Sequence, residues 1–179
     1  GSQPFTGGPA YLGIVFVFLF FLGSFLIKSN IKWWAVASVI LTIMIAWGKH
    51  FPIFNYTMHD YFPMFNKFRA VTMSLGLTTF FVAFLGILGL NEFLKKEVAQ
   101  EAKLKALKLA GATTGGLILL GLMISFGVDY GVENLPQELA SAVAKDRAGL
   151  LQADSFRSLI LAGLSFAALW FYLKKSFKP

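Results

Sequence analysis

Long apolar runs alternate with short polar segments along most of the chain. Five runs approach the roughly 20 apolar residues that a helix needs to cross the hydrocarbon layer of a bilayer. They lie at 9–27, 31–47, 70–90, 109–128 and 156–173. Each backbone N–H and C=O inside hydrocarbon needs an internal partner, so we expect these runs to be helical. The pattern predicts an all-α, polytopic transmembrane helix bundle that forms one domain over residues 1–179.

The composition agrees with a membrane protein. Hydrophobic residues make up 56% of the chain and charged residues 14%, whereas about 25% of a typical soluble domain is charged. Mean hydropathy is +0.67. The first run lacks a basic N-terminal region and a small-residue cleavage pattern, so we interpret it as a span and not as a signal peptide. The chain begins with Gly1 and Ser2 instead of Met, and we expect it to be a portion of a larger membrane protein.

The distribution of basic residues predicts the orientation. Ten of the 16 Lys and Arg residues fall in the turn 28–32, the linker 91–108 and the tail 174–178. By the positive-inside rule these segments face the cytoplasm. The N-terminus is then outside and the C-terminus cytoplasmic, which agrees with five crossings. The segments 48–69 and 129–155 are predicted to be extracytoplasmic.

Charge and cysteine content narrow the functional classes. The net charge is +7, but most of it lies at span ends, where it meets anionic lipid headgroups and not nucleic acid. The absence of cysteine excludes disulfides and thiolate chemistry. His50 and His59 are nine positions apart with one acid nearby, which does not make a metal site. We expect membrane lipids as partners, with no nucleic acid, metal or cofactor.

Two linkers show helical patterns. In 91–108, apolar residues recur at near-helical spacing among Lys and Glu. This fits either a helix in the headgroup zone or a solvated extension of the fourth span, and we favour the extension. After Pro136, Leu139 and Val143 predict a short surface or re-entrant helix. Asp154 is then the candidate N-cap of the last span.

Small residues in two spans predict close helix packing. The fourth span opens with a small-residue face that includes Gly111 and Gly115, and the third span contains Gly76, Gly86 and Gly89. Glycine faces allow two helices to approach where hydrophobicity gives no drive for association.

The segment 51–70 has the richest chemistry, with the sequence FPIFNYTMHDYFPMFNKFRA. Pro52 and Pro63 interrupt regular helix, so we predict an irregular or re-entrant hairpin with short helical pieces. Lys67 and Arg69 precede the third span at the depth of lipid phosphates. They either clamp the phosphate of a lipid-linked ligand or anchor the span end by snorkelling, and both interpretations stay open.

Asp60 is the only acid between Lys49 and Glu92. It is the candidate catalytic residue, as a base towards a hydroxyl acceptor, with His59 beside it. Alternatively, Asp60 caps the turn that follows it or pairs with a nearby base. Neighbouring residues point apart on a helix, so we do not expect His59 and Asp60 to form a dyad.

Several of these motifs together resemble one family. The run DYFPMFNKFRA at 60–70, preceded by WGK at 47–49, resembles a hallmark block of bacterial YfhO-type membrane proteins, especially those of Bacteroidetes. QPFTGGP at 3–9, KDRAGLL at 145–151 and FRSL at 156–159 agree with it in order. The resemblance implies an internal or C-terminal portion of a larger multi-pass protein of the bacterial inner membrane, with a GT-C-like fold.

The resemblance also implies a function. Some relatives are associated with transfer of sugar from a polyprenyl-phosphate donor to a cell-envelope polymer, so an enzymatic role would be that of a lipid-linked glycosyltransferase. GT-C enzymes usually carry the catalytic acid in an earlier loop, so this chain would contribute phosphate contacts. The substrate-binding candidates are Lys67, Arg69, His59, Tyr61 and Asn66. The alternative is a non-catalytic scaffold or subunit of an envelope complex, which holds partner helices through its glycine-rich face.

Overall fold

The fold is built entirely from helices in the part of the chain that the structure describes. This structure is a computed structural model, and it describes residues 12–63, 65, 73–127 and 137–176. Its helices are α1 (Ile14–Leu26), α2 (Ile31–Ala46), α3 (Pro52–Tyr61), α4 (Ser74–Leu94), α5 (Gln100–Gly127) and α6 (Gln137–Ser176), with a 3₁₀ turn at Gly48–His50. Those ranges contain no β-strand, so the all-α prediction is confirmed for them.

Three helices are long and apolar enough to cross a membrane. Their membrane-length portions are Ser74–Leu94, Gln100–Phe126 and Ser141–Lys175. The helices α1 and α2 contain 13 and 16 residues, which corresponds to about 20 and 24 Å at 1.5 Å per residue. Both are shorter than the ~30 Å hydrocarbon layer. The count of five spans and the orientation therefore stay predictions.

The chain divides into two compact units, Gly1–Glu97 and Val98–Pro179. In the first unit, α4 packs against α1 so closely that the contact requires glycine. A Cβ atom on Gly23 would lie 2.5 Å from the carbonyl oxygen of Leu85, and one on Gly89 would lie 2.6 Å from the backbone nitrogen of Gly23. A Cβ atom on Gly86 would lie 3.1 Å from Leu19. The prediction of close packing is confirmed for Gly86 and Gly89. Gly76 has no such neighbour within 4 Å among the described residues.

The helix α2 packs against α4 through apolar side chains and a small polar cluster. Only four residues join α1 to α2, so α2 runs back along the unit, and its C-terminal part meets the beginning of α4. There the hydroxyl groups of Thr42 and Thr78 lie 2.8 Å apart, and Ser74 Oγ donates to the carbonyl oxygen of Thr42 at 3.0 Å. One buried apolar cluster of this unit comprises Phe20, Ile27, Ala35, Val39, Val82 and Leu85.

A short turn connects α4 to α5 at the basic linker. Lys95 Nζ donates to Glu92 Oε2 at 2.7 Å, and this hydrogen bond and the charge of Glu92 raise the pKa of Lys95. The helix α5 begins at Gln100 and continues without interruption to Gly127. The C-terminal part of the 91–108 linker is therefore an extension of the fourth apolar run, which confirms the interpretation that we favoured.

In the second unit, α5 and α6 pack in antiparallel orientation. Gly111 lies against the ring of Phe166, where a Cβ atom would come within 2.9 Å of a ring carbon, so its predicted role in close packing is confirmed. Gly115 has nothing within 4 Å of the position of an added Cβ atom, and it makes no such contact with the described residues.

The helix α6 is one continuous element of 40 residues, about 60 Å long at 1.5 Å per residue. The prediction of a separate short helix before the last span, with Asp154 as the N-cap, is wrong, because Asp154 lies in the middle of α6. The sequence explains the difference. Between Gln137 and Ser155 there is no proline, and the residues are mainly good helix formers with a single glycine.

The glycine contact between α1 and α4 predicts a steric effect on stability. We expect Gly89→Leu to lower the free energy of unfolding by about 1–3 kcal/mol, because the new side chain cannot fit without displacing α1. The measurement is SDS-induced unfolding of the purified chain in mixed micelles. Gly76→Leu is the matched control, since it adds the same side chain to the same helix in open space. An equal loss in both variants would contradict the packing explanation.

The hydroxyl contact between α2 and α4 predicts a small coupling energy. Thr42 Oγ1 also lies 2.8 Å from the carbonyl oxygen of Ser38, so the Thr42 hydroxyl group does not depend on Thr78 alone. A double-mutant cycle of Thr42→Val and Thr78→Val should give a coupling of about 0.6 kcal/mol, the average for hydrogen bonds between membrane helices. A coupling indistinguishable from zero would show that the contact does not stabilise the pair.

Candidate functional site

The candidate site begins where α2 ends. Gly48 is buried and has a φ of 51°, a left-handed backbone conformation that favours glycine. It turns the chain from α2 into the 3₁₀ turn. Pro52 then occupies the first turn of α3, where its missing N–H costs no helical hydrogen bond. The helix ends at Tyr61, and Phe62 is extended before Pro63. The prediction of short helical pieces in this segment is confirmed by α3, and the hairpin stays a prediction because residues 64 and 66–72 lie outside the described part of the chain.

A row of aromatic rings holds the start of α3 against the end of α2. The rings of Trp47 and Phe51 meet edge to face with centroids 6.1 Å apart, and those of Phe51 and Phe54 stack at 5.9 Å. Such pairs contribute about 0.5–1.5 kcal/mol each beyond their burial. This aromatic anchor was not among the features predicted from the sequence. The sequence did contain a signal for it. Phe51 follows Trp47 by four positions and Phe54 follows Phe51 by three, which is the spacing of residues on one helix face.

The last turn of α3 exposes the polar candidates. His59 Nδ1 lies 3.2 Å from Asp60 Oδ1, with 59% and 65% of the two side chains exposed. The prediction that these neighbours point apart is therefore wrong. Neither side chain is packed among others at this helix end, so their rotamers are free to fold together. Tyr61 follows as one of the most exposed side chains of the segment, at 84%.

The exposed pair can bind a polar ligand, but it does not hold a base in a fixed position. A side-chain contact this open to solvent contributes about 0–1 kcal/mol even between charged groups, because water and salt screen it. Among the residues that the structure describes, none encloses the carboxylate of Asp60, whereas a general base needs a fixed geometry towards the proton that it accepts. The arrangement suits hydrogen bonding to hydroxyl groups, with the rings of Tyr56 and Tyr61 exposed on the same helix.

The structure brings together only part of the predicted site. His59, Asp60 and Tyr61 are consecutive on α3. Asn66, Lys67 and Arg69 lie outside the described residues, so their distances from α3 stay open. Over the ranges that the structure covers, no group of three or more His, Asp and Glu side chains is arranged to hold a metal ion.

Comparison with known proteins does not assign the chain to a family. No protein-family model, curated protein or solved structure matches it. The resemblance to YfhO-type proteins, which depends on the motifs in the sequence, stays a prediction.

The position of α3 predicts a clear labelling result. The chain contains no cysteine, so Tyr61→Cys introduces a single thiol at an exposed position. We expect a membrane-impermeant maleimide to label it in intact cells, because the segment 48–69 is predicted to be extracytoplasmic. Lys105→Cys, also exposed, should be labelled only after permeabilisation. The reverse labelling pattern would show that the orientation is opposite to the predicted one.

Proposed function

We propose that the chain is a membrane-embedded portion of a YfhO-like, GT-C-like protein of the bacterial plasma membrane. Its function would be in the transfer of sugar from a polyprenyl-phosphate donor to a cell-envelope polymer. The observation that supports this proposal best is the end of α3, where an exposed His59–Asp60 pair adjoins exposed tyrosines beside apolar helices. A ligand with a sugar, a phosphate and a long lipid needs these kinds of contacts at a membrane surface.

The chemistry of the transfer assigns different roles to the residues. The bond between the anomeric carbon and the phosphate oxygen breaks, the acceptor hydroxyl oxygen attacks that carbon, and its proton leaves to a base. Negative charge develops on the departing phosphate, where cations stabilise the transition state. Lys67 and Arg69 are the proposed phosphate contacts, with Asn66 beside them. His59 and Tyr61 would contact the sugar.

Asp60 is proposed as a binding residue more than as the base. Its side chain is largely exposed and is hydrogen-bonded to His59, so its orientation depends on a contact that solvent weakens. In this proposal the proton acceptor lies elsewhere in the larger protein, as the family resemblance implies. Asp60 would bind sugar hydroxyl groups through its free carboxylate oxygen.

A non-catalytic scaffold is the second candidate function, and three glycines of α5 favour it. Among the described residues, nothing lies within 4 Å of an added Cβ atom on Gly115, Gly116 or Gly121, although small residues in membrane helices commonly serve close packing between helices. In this alternative, Gly115 lies in the glycine-rich face that receives a helix of the larger protein or complex.

The proposed phosphate contacts give the decisive experiment. In the protein as the source cell makes it, the double variant Lys67→Gln/Arg69→Gln should lower sugar transfer at least about 100-fold, the order of loss that follows removal of a preorganised charge contact. The measurement is incorporation of labelled sugar from a polyprenyl-phosphate donor into polymer by isolated membranes.

The matched control is Lys145→Gln/Arg147→Gln, which removes the same two residue types from exposed positions on the same predicted side of the membrane. This variant should retain transfer. Equal loss in both variants would show a general charge effect and overturn the phosphate role. Unchanged transfer in both, together with lost association on Gly115→Leu, would favour the scaffold.

A further inference from the structure

A groove between α1 and α2 lies outside the candidate site, in the same compact unit. Its volume is about 370 Å³, within the range of small-ligand sites. Its apolar walls come from Phe20, Phe21 and Phe25 on α1 and from Trp33 and Val36 on α2. The walls are apolar along their length.

The polar atoms of the groove are concentrated at one end. Ser24 lines it, but its hydroxyl group donates to the carbonyl oxygen of Phe20 at 2.8 Å and is therefore used within α1. Lys32 lines the groove at the start of α2, with its Nζ 5.3 Å from the centroid of the Trp33 ring. Lys28 is exposed in the preceding turn. The groove is thus an apolar channel with a cationic end.

Neither of these two lysines is paired with an acid in the described part of the chain. The first acid in the sequence is Asp60, which is bonded to His59, and neither Lys28 nor Lys32 forms a salt bridge with any residue that the structure describes. Lys32 does contact the face of Trp33, an interaction that leaves its donors available to an anion. Trp33 and Trp34 are exposed by 64% and 76%, as is typical of tryptophans at headgroup depth.

We propose that this groove is a binding site for an anionic phospholipid. The phosphate would lie between Lys28 and Lys32, and one acyl chain would lie along the aromatic walls towards Val36. Charge complementarity selects this ligand, because a zwitterionic lipid fills the groove equally well but brings no net negative charge to the lysines. A partner helix would cover the apolar walls but leave both lysines without a counter-charge.

The site is independent of the proposed sugar transfer. Lys32 lies in the first turn of α2 and Trp47 follows its end, so the groove and the α3 segment are separated by about 22 Å at 1.5 Å per residue. A failure of one proposal therefore leaves the other intact.

The test uses Trp33 as the only fluorescent reporter in the full chain, with Trp34, Trp47 and Trp170 changed to Phe. The protein is placed in phosphatidylcholine vesicles that contain a fixed fraction of lipid with brominated acyl chains, either phosphatidylglycerol or phosphatidylcholine. Bromine quenches the indole at contact, so the ratio of quenching gives the relative binding constant. We expect brominated phosphatidylglycerol to bind at least about fivefold more strongly, the effect of one lysine near a membrane surface.

Variants distinguish a specific lipid site in the groove from general electrostatic attraction of anionic lipid to surface lysines. Lys28→Gln/Lys32→Gln should remove the preference, and Lys28→Arg/Lys32→Arg should retain it, which also controls for folding. Lys96→Gln/Lys105→Gln removes two exposed lysines from the other linker predicted to be cytoplasmic and should change the preference less than twofold. Val36→Phe should reduce quenching by both lipids, because it fills the groove.

Three results would overturn the proposal. Equal quenching by the two brominated lipids would show ordinary boundary lipid, and an equal effect of both lysine-to-glutamine pairs would show a diffuse surface potential. Full competition by soluble glycerol phosphate would show that the lysines bind a free phosphate and that the groove contributes nothing.

Discussion

The backbone contact between α1 and α4 determines the arrangement of the first unit. In hydrocarbon, apolar side chains gain little by leaving lipid, so close packing and hydrogen bonds must hold helices together. At Gly23 and Gly89 the two backbones meet directly. The helix α4 is parallel to α1, and α2, which comes between them in the sequence, runs in the opposite direction. The end of α2 therefore meets the start of α4, where Thr42 contacts Ser74. The intervening segment therefore leaves and returns at one end of the unit, which explains why α3 can expose its polar turn.

Hydroxyl groups are tolerated in the apolar helices because most of them are used locally. Four hydroxyl groups donate to the carbonyl oxygen of the residue four positions earlier, namely those of Ser24, Thr79, Thr113 and Ser165. Such bonds satisfy the group without a partner helix. Thr114 differs, because its Oγ1 is buried with no hydrogen-bond partner among the described residues. A buried, unsatisfied hydroxyl group costs about 1–3 kcal/mol. Thr114 is therefore unfavourable for the stability of α5, whereas the close packing at Gly111 is favourable.

Sequence reasoning predicted the elements better than their contacts. Apolar runs located α4 and α5, and glycine content indicated a packing face on each, because both properties are local. Gly23 was not singled out, since a lone glycine becomes a contact only when a particular helix faces it. The continuity of α6 was missed because Asp154 resembled a cap, while the helix formers around it favoured a single helix. In the candidate site, the prolines predicted short, interrupted helix, but the His59–Asp60 contact depends on rotamers that sequence does not specify. For Asn66, Lys67 and Arg69 the prediction rests on the sequence alone.

The two ends of α2 offer different physical environments to phosphate-bearing ligands. At its start, apolar walls and Lys32 form a channel with one charged end, which suits an amphiphile that stays bound because its chain is desolvated along its length. At its end, α3 exposes rings and a hydrogen-bonded pair, without enclosing walls from the residues that the structure describes. Binding there gains less from desolvation, so a ligand is exchanged more readily, as turnover of a substrate requires. This difference in enclosure, more than any difference in charge, is the physical reason to assign a resident lipid to the groove and a transient ligand to α3.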